Sequence, residues 1–248
     1  MIYSFLKNAL KTVVNKKLLF WSEPFLRRTI IYPVYVGKKH QCTVCNAGLR
    51  KFIPLPNGDT LCPKCGSISR DRRLMTLLKS KHLERANHIL DFSPSRSVHR
   101  QLKKRKGNQY ITTDLSGDFL SDKNIDITNI DSVSESYDLI ICYHILEHVK
   151  EDQQAMQELY RVLRKNGTCF VQTPFKSGEI YEDSTITSET ERLKAFGQKD
   201  HVRIYSVYGL KSRLEKAGFK VKVLQFTEKE NNRHGFAAEE TILKLTKS

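Results

Sequence analysis

From residue 88 onward, short apolar runs alternate with segments of helical periodicity, and this alternation constrains the fold more than any other feature of the chain. Runs near 88–92, 109–114, 124–127, 137–143, 167–173, 219–226 and 240–246 predict strands, and helical patterns fall near 96–106, 150–164 and 206–217. Parallel neighbours need a crossover between them, normally a helix, so the pattern predicts a parallel sheet covered by helices on both faces. Gly107, Gly167 and Gly218 stand where helices end and strands begin. The polar stretch TEKENNRHG, 227–235, reads as a mobile loop between the last two strands.

With 248 residues, 39% of them hydrophobic, the chain can bury one substantial core and carry a small appended module. No run reaches the roughly 18 apolar residues of a membrane span, so no transmembrane segment is expected. The first twenty residues lack the apolar core and cleavage site of a secretory signal, which places the protein in the cytoplasm. The net charge of +15 is uneven: residues 1–110 hold 23 Lys and Arg against 5 Asp and Glu, whereas residues 111–248 hold 19 against 22. A basic half of this kind suits nucleic acid, anionic headgroups or acidic glycans, or is simply solvated. Residues 2–19 carry a basic amphipathic helix pattern, which either contacts a membrane surface peripherally or covers the protein's own core. Residues 21–41, with Pro24 and Pro33, read as a connector containing an extended piece, IIYPVYV.

Cys42, Cys45, Cys62 and Cys65 form two C-x2-C pairs sixteen residues apart. Each pair offers two thiolates from one tight turn, so the four can close tetrahedrally on Zn2+ with no open position, as a structural site does. Cys142 and Cys169 lie in apolar strand contexts and read as core residues. Arg70, Arg72 and Arg73 open a predicted helix after the ribbon; they either grip an anionic group or form a solvated face, and the second reading is favoured.

Residues 137–175, YDLIICYHILEHVKEDQQAMQELYRVLRKNGTCFVQTPF, resemble the stretch of class I S-adenosylmethionine-dependent methyltransferases that runs from the fourth strand through a helix to the fifth. Asp138, Leu146, Glu147, His148 and the RVLRKNG turn carry the likeness. A narrower resemblance, through CPKCGS, LEHV and FGQKDHVRIYSVYGLKSRLEKAGF, is to a methyltransferase type 11-like bacterial subgroup with an N-terminal four-cysteine ribbon, and it covers most of residues 42–226. The resemblance implies an α/β fold: a Rossmann-like seven-stranded sheet over 87–248, preceded by a zinc-ribbon module with its arginine-rich helix over 41–86 and the basic helix and connector over 1–40.

It also implies S-adenosylmethionine as cofactor and assigns positions for it. ILDFSPSRS falls where the family has its glycine-rich first motif, with Asp91 at the acid and Ser93, Ser95 and Ser97 at the three glycine positions. Asp114, followed by Leu115, matches the acid that binds the ribose hydroxyls, and Asp126 with Ile127 matches the pair that meets adenine. Tyr143 and His144 end the fourth strand beside the methyl group. His144 is the first choice for a general base, needed only where the acceptor is a hydroxyl or a protonated amine, whereas Glu147 and His148 read as locks on the strand-to-helix turn. The long segment from Pro174 to Tyr205 is expected to cover the acceptor, with Asp200, His201, Arg203 and Tyr205 as binding candidates. A small molecule or glycan is the expected acceptor; RNA held by the basic half and a non-catalytic zinc-binding scaffold are the competing readings.

Overall fold

The computed structural model describes residues 22–117, 119, 121–228 and 232–247, so the basic helix pattern of residues 2–19 lies outside the described residues. The described residues fall into two compact units, one made of those up to 76, within 95–101 and within 228–237, the other of those within 77–94, within 102–227 and from 238 on. Among the described residues, no helix is long and apolar enough to cross a membrane.

The larger unit holds a small sheet of β9 (Phe175–Lys176), β10 (Tyr181–Glu182) and β11 (Arg203–Ser206) and a six-stranded sheet built from β5 (Ile89–Phe92), β6 (Tyr110–Thr113), β7 (Tyr137–Tyr143), β8 (Leu163–Gln172), β12 (Lys220–Thr227) and β13 (Glu239–Thr246), in the order β12-β13-β8-β7-β5-β6. β6, β5, β7 and β8 run parallel; β13 is antiparallel to β8, and β12 to β13. All four residues of β5 are buried, as expected for a central parallel strand covered on both faces. Helix Asp152–Val162 places Ala155, Met156, Leu159 and Val162 at helical spacing in the main core, where Leu210 and Leu214 of helix Val207–Lys216 also lie.

The expected seventh strand, at 124–127, is absent from this sheet. Outside β6, an isolated bridge joins Thr113 to Lys123, and the Asp122 and Lys123 N–H groups donate to Thr112 O, but the pairing does not continue into 124–127 among the described residues. Side chains replace the ladder there: the Thr113 hydroxyl accepts from the Ile125 N–H at 2.9 Å, and the Asp122 carboxylate accepts from the Thr112 N–H at 3.0 Å. Asp126 then accepts from the Thr128 N–H at 2.8 Å and turns the chain away. Ile125, Ile127 and Ile130 are nevertheless buried in the core, so the apolar residues went inward without forming a strand.

The smaller unit contains two short hairpins, β1 (Val36–Gln41) with β2 (Gly48–Leu49) and β3 (Ile53–Pro54) with β4 (Thr60–Leu61). Just before them, IIYPVYV is not extended: Arg27–Ile31 forms a π-helical turn and Tyr32–Tyr35 a 3-10 turn. Pro33 sits in the first turn of that 3-10 segment, where its missing N–H costs nothing. Nor do Arg72 and Arg73 belong to a solvated face, whereas Arg70 is partly exposed. Arg72 is fully buried, donating to the carbonyls of Ser67 (2.6 Å), Thr60 (3.1 Å), His234 (2.8 Å) and Gly235. Its guanidinium stacks 4.2 Å from the Phe52 ring centre. Arg73, also buried, pairs with Glu228 and stacks on Phe236. The expected mobile loop is therefore tied, at His234 and Gly235, by a buried cation.

Asp71, buried on helix Ser69–Leu77, accepts from the Ile68 N–H at 3.1 Å and the Ser97 hydroxyl at 3.0 Å. Burial raises its pKa above the ordinary aspartate value, Arg70 and the two hydrogen bonds offsetting only part of the rise. The unfolded chain then loses its proton first as pH rises, so this group's contribution to stability, full below the unfolded pKa of about 4, falls through the folded value. Asp71→Asn keeps the acceptor and removes the titration. Urea midpoints measured from pH 4 to pH 7 should move in favour of the variant, relative to the parent, as pH increases.

Candidate functional site

In register, Phe92 of β5 faces Thr113 of β6 on one side and Cys142 of β7 on the other, and Cys142 faces Val171 of β8. Ser93, Asp114, His144 and Thr173, which follow these strands, therefore leave the sheet along one edge, with Tyr143 closing β7 beside them. The chain winds outward in opposite directions from β5 and β7, so the crevice beyond their carboxyl ends is the topological switch point, where open α/β sheets bind ligands.

At this edge Ser93 adopts φ +46°, a left-handed conformation that serine reaches only at a cost. Two bonds hold it there: its N–H donates to Thr113 O at 2.7 Å and its hydroxyl to Asp114 Oδ1 at 2.7 Å. The glycine position thus keeps glycine-like backbone geometry, and the serine side chain is spent on the expected ribose acid. Asp114 is buried and also accepts from the Ser116 hydroxyl (3.0 Å) and the Phe119 N–H (3.3 Å). Asp91 is buried and accepts from the Tyr110 phenol at 2.7 Å. Leu115 is 59% exposed, whereas Ile127 is packed in the core and Asp126 caps its own turn. In the smaller unit Ser95 accepts from the Val98 N–H at 3.3 Å, at the start of helix Arg96–Lys106, and Ser97 is engaged by Asp71.

His144 also has positive φ, +55°, with its N–H donating to Gln172 O at 2.8 Å. Its Nδ1 lies 3.1 Å from Glu147 Oε1. Burial pushes the Glu147 carboxyl up, but His144, together with a backbone N–H and His148, more than offsets this and holds it below the ordinary glutamate value. Along the same edge, Gln172 Oε1 and Thr173 Oγ1 are buried without a hydrogen-bond partner.

The four residues expected to cover the acceptor separate into two pairs. Asp200 Oδ2 lies 3.3 Å from His148 Nδ1, and His201, 3% exposed, meets the His148 ring edge-on at 4.7 Å. Arg203 and Tyr205 are buried and fully engaged. Arg203 donates to the carbonyls of Leu146, Val149 and Lys150 and to Glu182, and the Tyr205 phenol donates to Asp152 at 2.5 Å. Asp152 and Glu182 also pair with Arg213. This cluster fastens the turn carrying Glu147 and His148; only Arg203 and Tyr205 of its members stand out in the sequence, since no local motif announces Asp152, Glu182 or Arg213.

In the smaller unit, both cysteine pairs sit in the same backbone knuckle. Asn46 N–H donates to Cys42 O and Gly66 N–H to Cys62 O, while the Cys42 and Cys62 N–H groups donate to Ala47 O and Ser67 O. Asn46 (φ +57°) and Gly66 (φ +76°) occupy equivalent left-handed positions. The sulfurs of Cys42 and Cys65 are 3.7 Å apart and those of Cys45 and Cys62 3.8 Å apart. Zn–S bonds of about 2.3 Å in a tetrahedron put sulfurs about 3.8 Å from one another, so the four fit a zinc ribbon. Hydrogen bonding among the thiols lowers the Cys42 pKa and raises those of Cys45 and Cys65, as expected of sulfurs too close to ionise together without a cation.

A family model described as a methyltransferase domain matches residues 69–223. No curated protein matches the chain. Among solved structures, it is similar to an S-adenosylmethionine-dependent methyltransferase of Thermotoga maritima at 17% identity and a TM-score of 0.51, with 73% of this chain and 88% of the other covered. An S-adenosylmethionine-dependent methyltransferase of Archaeoglobus fulgidus matches at 17% identity and a TM-score of 0.51, over 72% and 93%. A Haemonchus contortus phosphoethanolamine N-methyltransferase, solved with S-adenosylhomocysteine, matches at 13% and 0.52, over 71% and 53%. At these identities the likeness is one of fold. The switch point offers groups that S-adenosylmethionine would fit: a buried carboxylate at Asp114, an exposed apolar side chain beside it at Leu115, and polar atoms of Gln172 and Thr173 without hydrogen-bond partners.

If the Tyr205 phenol anchors the turn through Asp152, Tyr205→Phe should destabilise the protein by about 1–3 kcal/mol, read from urea unfolding. The secondary structure should be kept, since Arg213 still neutralises Asp152.

Proposed function

The chain belongs to the class I S-adenosylmethionine-dependent methyltransferases, and from that premise we propose that it transfers a methyl group to a small-molecule or glycan acceptor. The observation that carries this reading is the edge itself: Ser93 held in a left-handed conformation against Asp114, with His144 leaving the neighbouring strand at the switch point. Asp114 would hold the ribose hydroxyls and Leu115 one face of adenine, a contact that Ile127 and Asp126 share less readily from the core and the turn. Ser93 and Asp91 would line the methionine end, with Tyr143 beside the sulfonium. When bound, the cofactor supplies an electrophilic methyl on a good leaving group, so the protein's part is alignment and exclusion of water.

His144 performs the proton chemistry in this reading. Glu147 faces its Nδ1, which leaves Nε2 as the acceptor for the proton of a hydroxyl or ammonium. A small acceptor is favoured over RNA because Arg72 and Arg73 are internal and so withdrawn from any phosphate-binding face. We place Zn2+ on Cys42, Cys45, Cys62 and Cys65 as a structural ion. Four free thiolate ligands suit a reducing compartment, and we take the protein to be cytoplasmic.

Calorimetry of the full, zinc-loaded chain tests the reading. S-adenosylhomocysteine should bind with measurable heat, and Asp114→Asn should weaken it at least about tenfold, the loss expected for a carboxylate hydrogen-bonded to a ligand diol. No heat from folded protein would favour the scaffold reading, and unchanged affinity in the variant would displace the ribose from Asp114. Removing the zinc with a chelator should unfold the ribbon, followed by loss of dispersion for its residues in NMR spectra.

A further inference from the structure

Three potential ligands converge beside His144, and of these only Glu147 enters the scheme above, through its contact with His144 Nδ1. Glu147 and His148 lie in the single 3-10 turn Leu146–His148 after β7, and His201 precedes β11 (Arg203–Ser206). The two segments are stitched directly, Val202 N–H donating to Glu147 O at 2.9 Å. From the same strand Arg203 clamps the carbonyls of Leu146, Val149 and Lys150. One ligand atom from each of Glu147, His148 and His201 lies within 4.8 Å of the others.

These atoms are poorly satisfied by the protein. Glu147 is 1% exposed, and neither carboxylate oxygen accepts a hydrogen bond of proper geometry, although His144 Nδ1 stands 3.1 Å from Oε1. His201 Nε2 is likewise buried and without a partner. Buried polar atoms are nearly always hydrogen-bonded, and leaving a buried carboxylate without such bonds is costly. His148 is placed differently: Asp200 faces its Nδ1 at 3.3 Å, an arrangement that favours a proton on Nδ1 and leaves Nε2 for a ligand. A carboxylate behind a histidine is the usual outer partner of a metal-bound imidazole.

We propose that Glu147, His148 and His201 bind a divalent transition-metal cation, with Asp200 orienting His148, at a second metal site separate from the four cysteines. Two imidazoles and one carboxylate select Mn2+, Fe2+, Co2+ or Zn2+ over Mg2+ and Ca2+, which prefer all-oxygen shells. Three protein ligands leave coordination positions open, unlike the closed tetrahedron of the ribbon. The site does not depend on which acceptor is methylated, since it is defined by side chains and can be filled in the absence of cofactor.

Mn2+ is the discriminating probe, because four thiolates already holding zinc do not exchange for it. Titration of the zinc-loaded full chain, with free Mn2+ read from its electron paramagnetic resonance signal, should give one bound ion per chain. His201→Ala and Glu147→Gln should abolish that binding. Asp200→Asn, at an exposed position where folding is not at stake, should weaken it by about 10- to 100-fold. If His201→Ala fails to fold, the Asp200→Asn comparison decides. Parent protein that binds no Mn2+, or Asp200→Asn that binds it as tightly as the parent, overturns the proposal.

Discussion

Everything at the candidate site depends on the parallel register of β6, β5, β7 and β8. Because Phe92, Thr113, Cys142 and Val171 lie level, the chain turns that follow them share one edge of the sheet. Residues 93, 114, 144 and 173, far apart in sequence, thereby share one end of the sheet. A slip of one residue in any strand would reverse its side chains between the two faces and misplace the turn that follows.

The edge is assembled under strain that local bonds absorb. Ser93 and His144 both take left-handed conformations at the ends of adjacent strands, each stitched to the next strand by its own N–H. Non-glycine residues in that region are uncommon and concentrate where function requires a particular backbone path. Serine in place of glycine at position 93 is therefore compatible with the loop geometry, since its hydroxyl gains a bond to Asp114 that glycine could not make.

A second organising device is the burial of arginines as internal ties. Arg72 gathers carbonyls from both ends of the ribbon unit's sequence, and Arg203 gathers those of the turn after β7. A planar guanidinium with five donors suits this work, because several carbonyls can be satisfied by one side chain. The same residues looked like surface cations or ligand-binding groups when only their position along the chain was visible. Burial distinguishes the cases, and burial is a property of the packed molecule.

By itself, the sequence determined the strand-helix alternation, the cysteine tetrad and the family stretch at 137–175. Each of these depends on periodicity or on spacing within a few residues, and local geometry carries it into the fold. Tertiary structure decided the rest. It withheld the ladder from 124–127, because the hydroxyl of Thr113 and carboxylate of Asp122 satisfy the neighbouring backbone instead. It set Arg203 and Tyr205 to hold a turn, and it brought His201 to Glu147 and His148 across more than fifty residues. Such meetings are fixed by which strands pair and in what register, and no window of the sequence contains both partners.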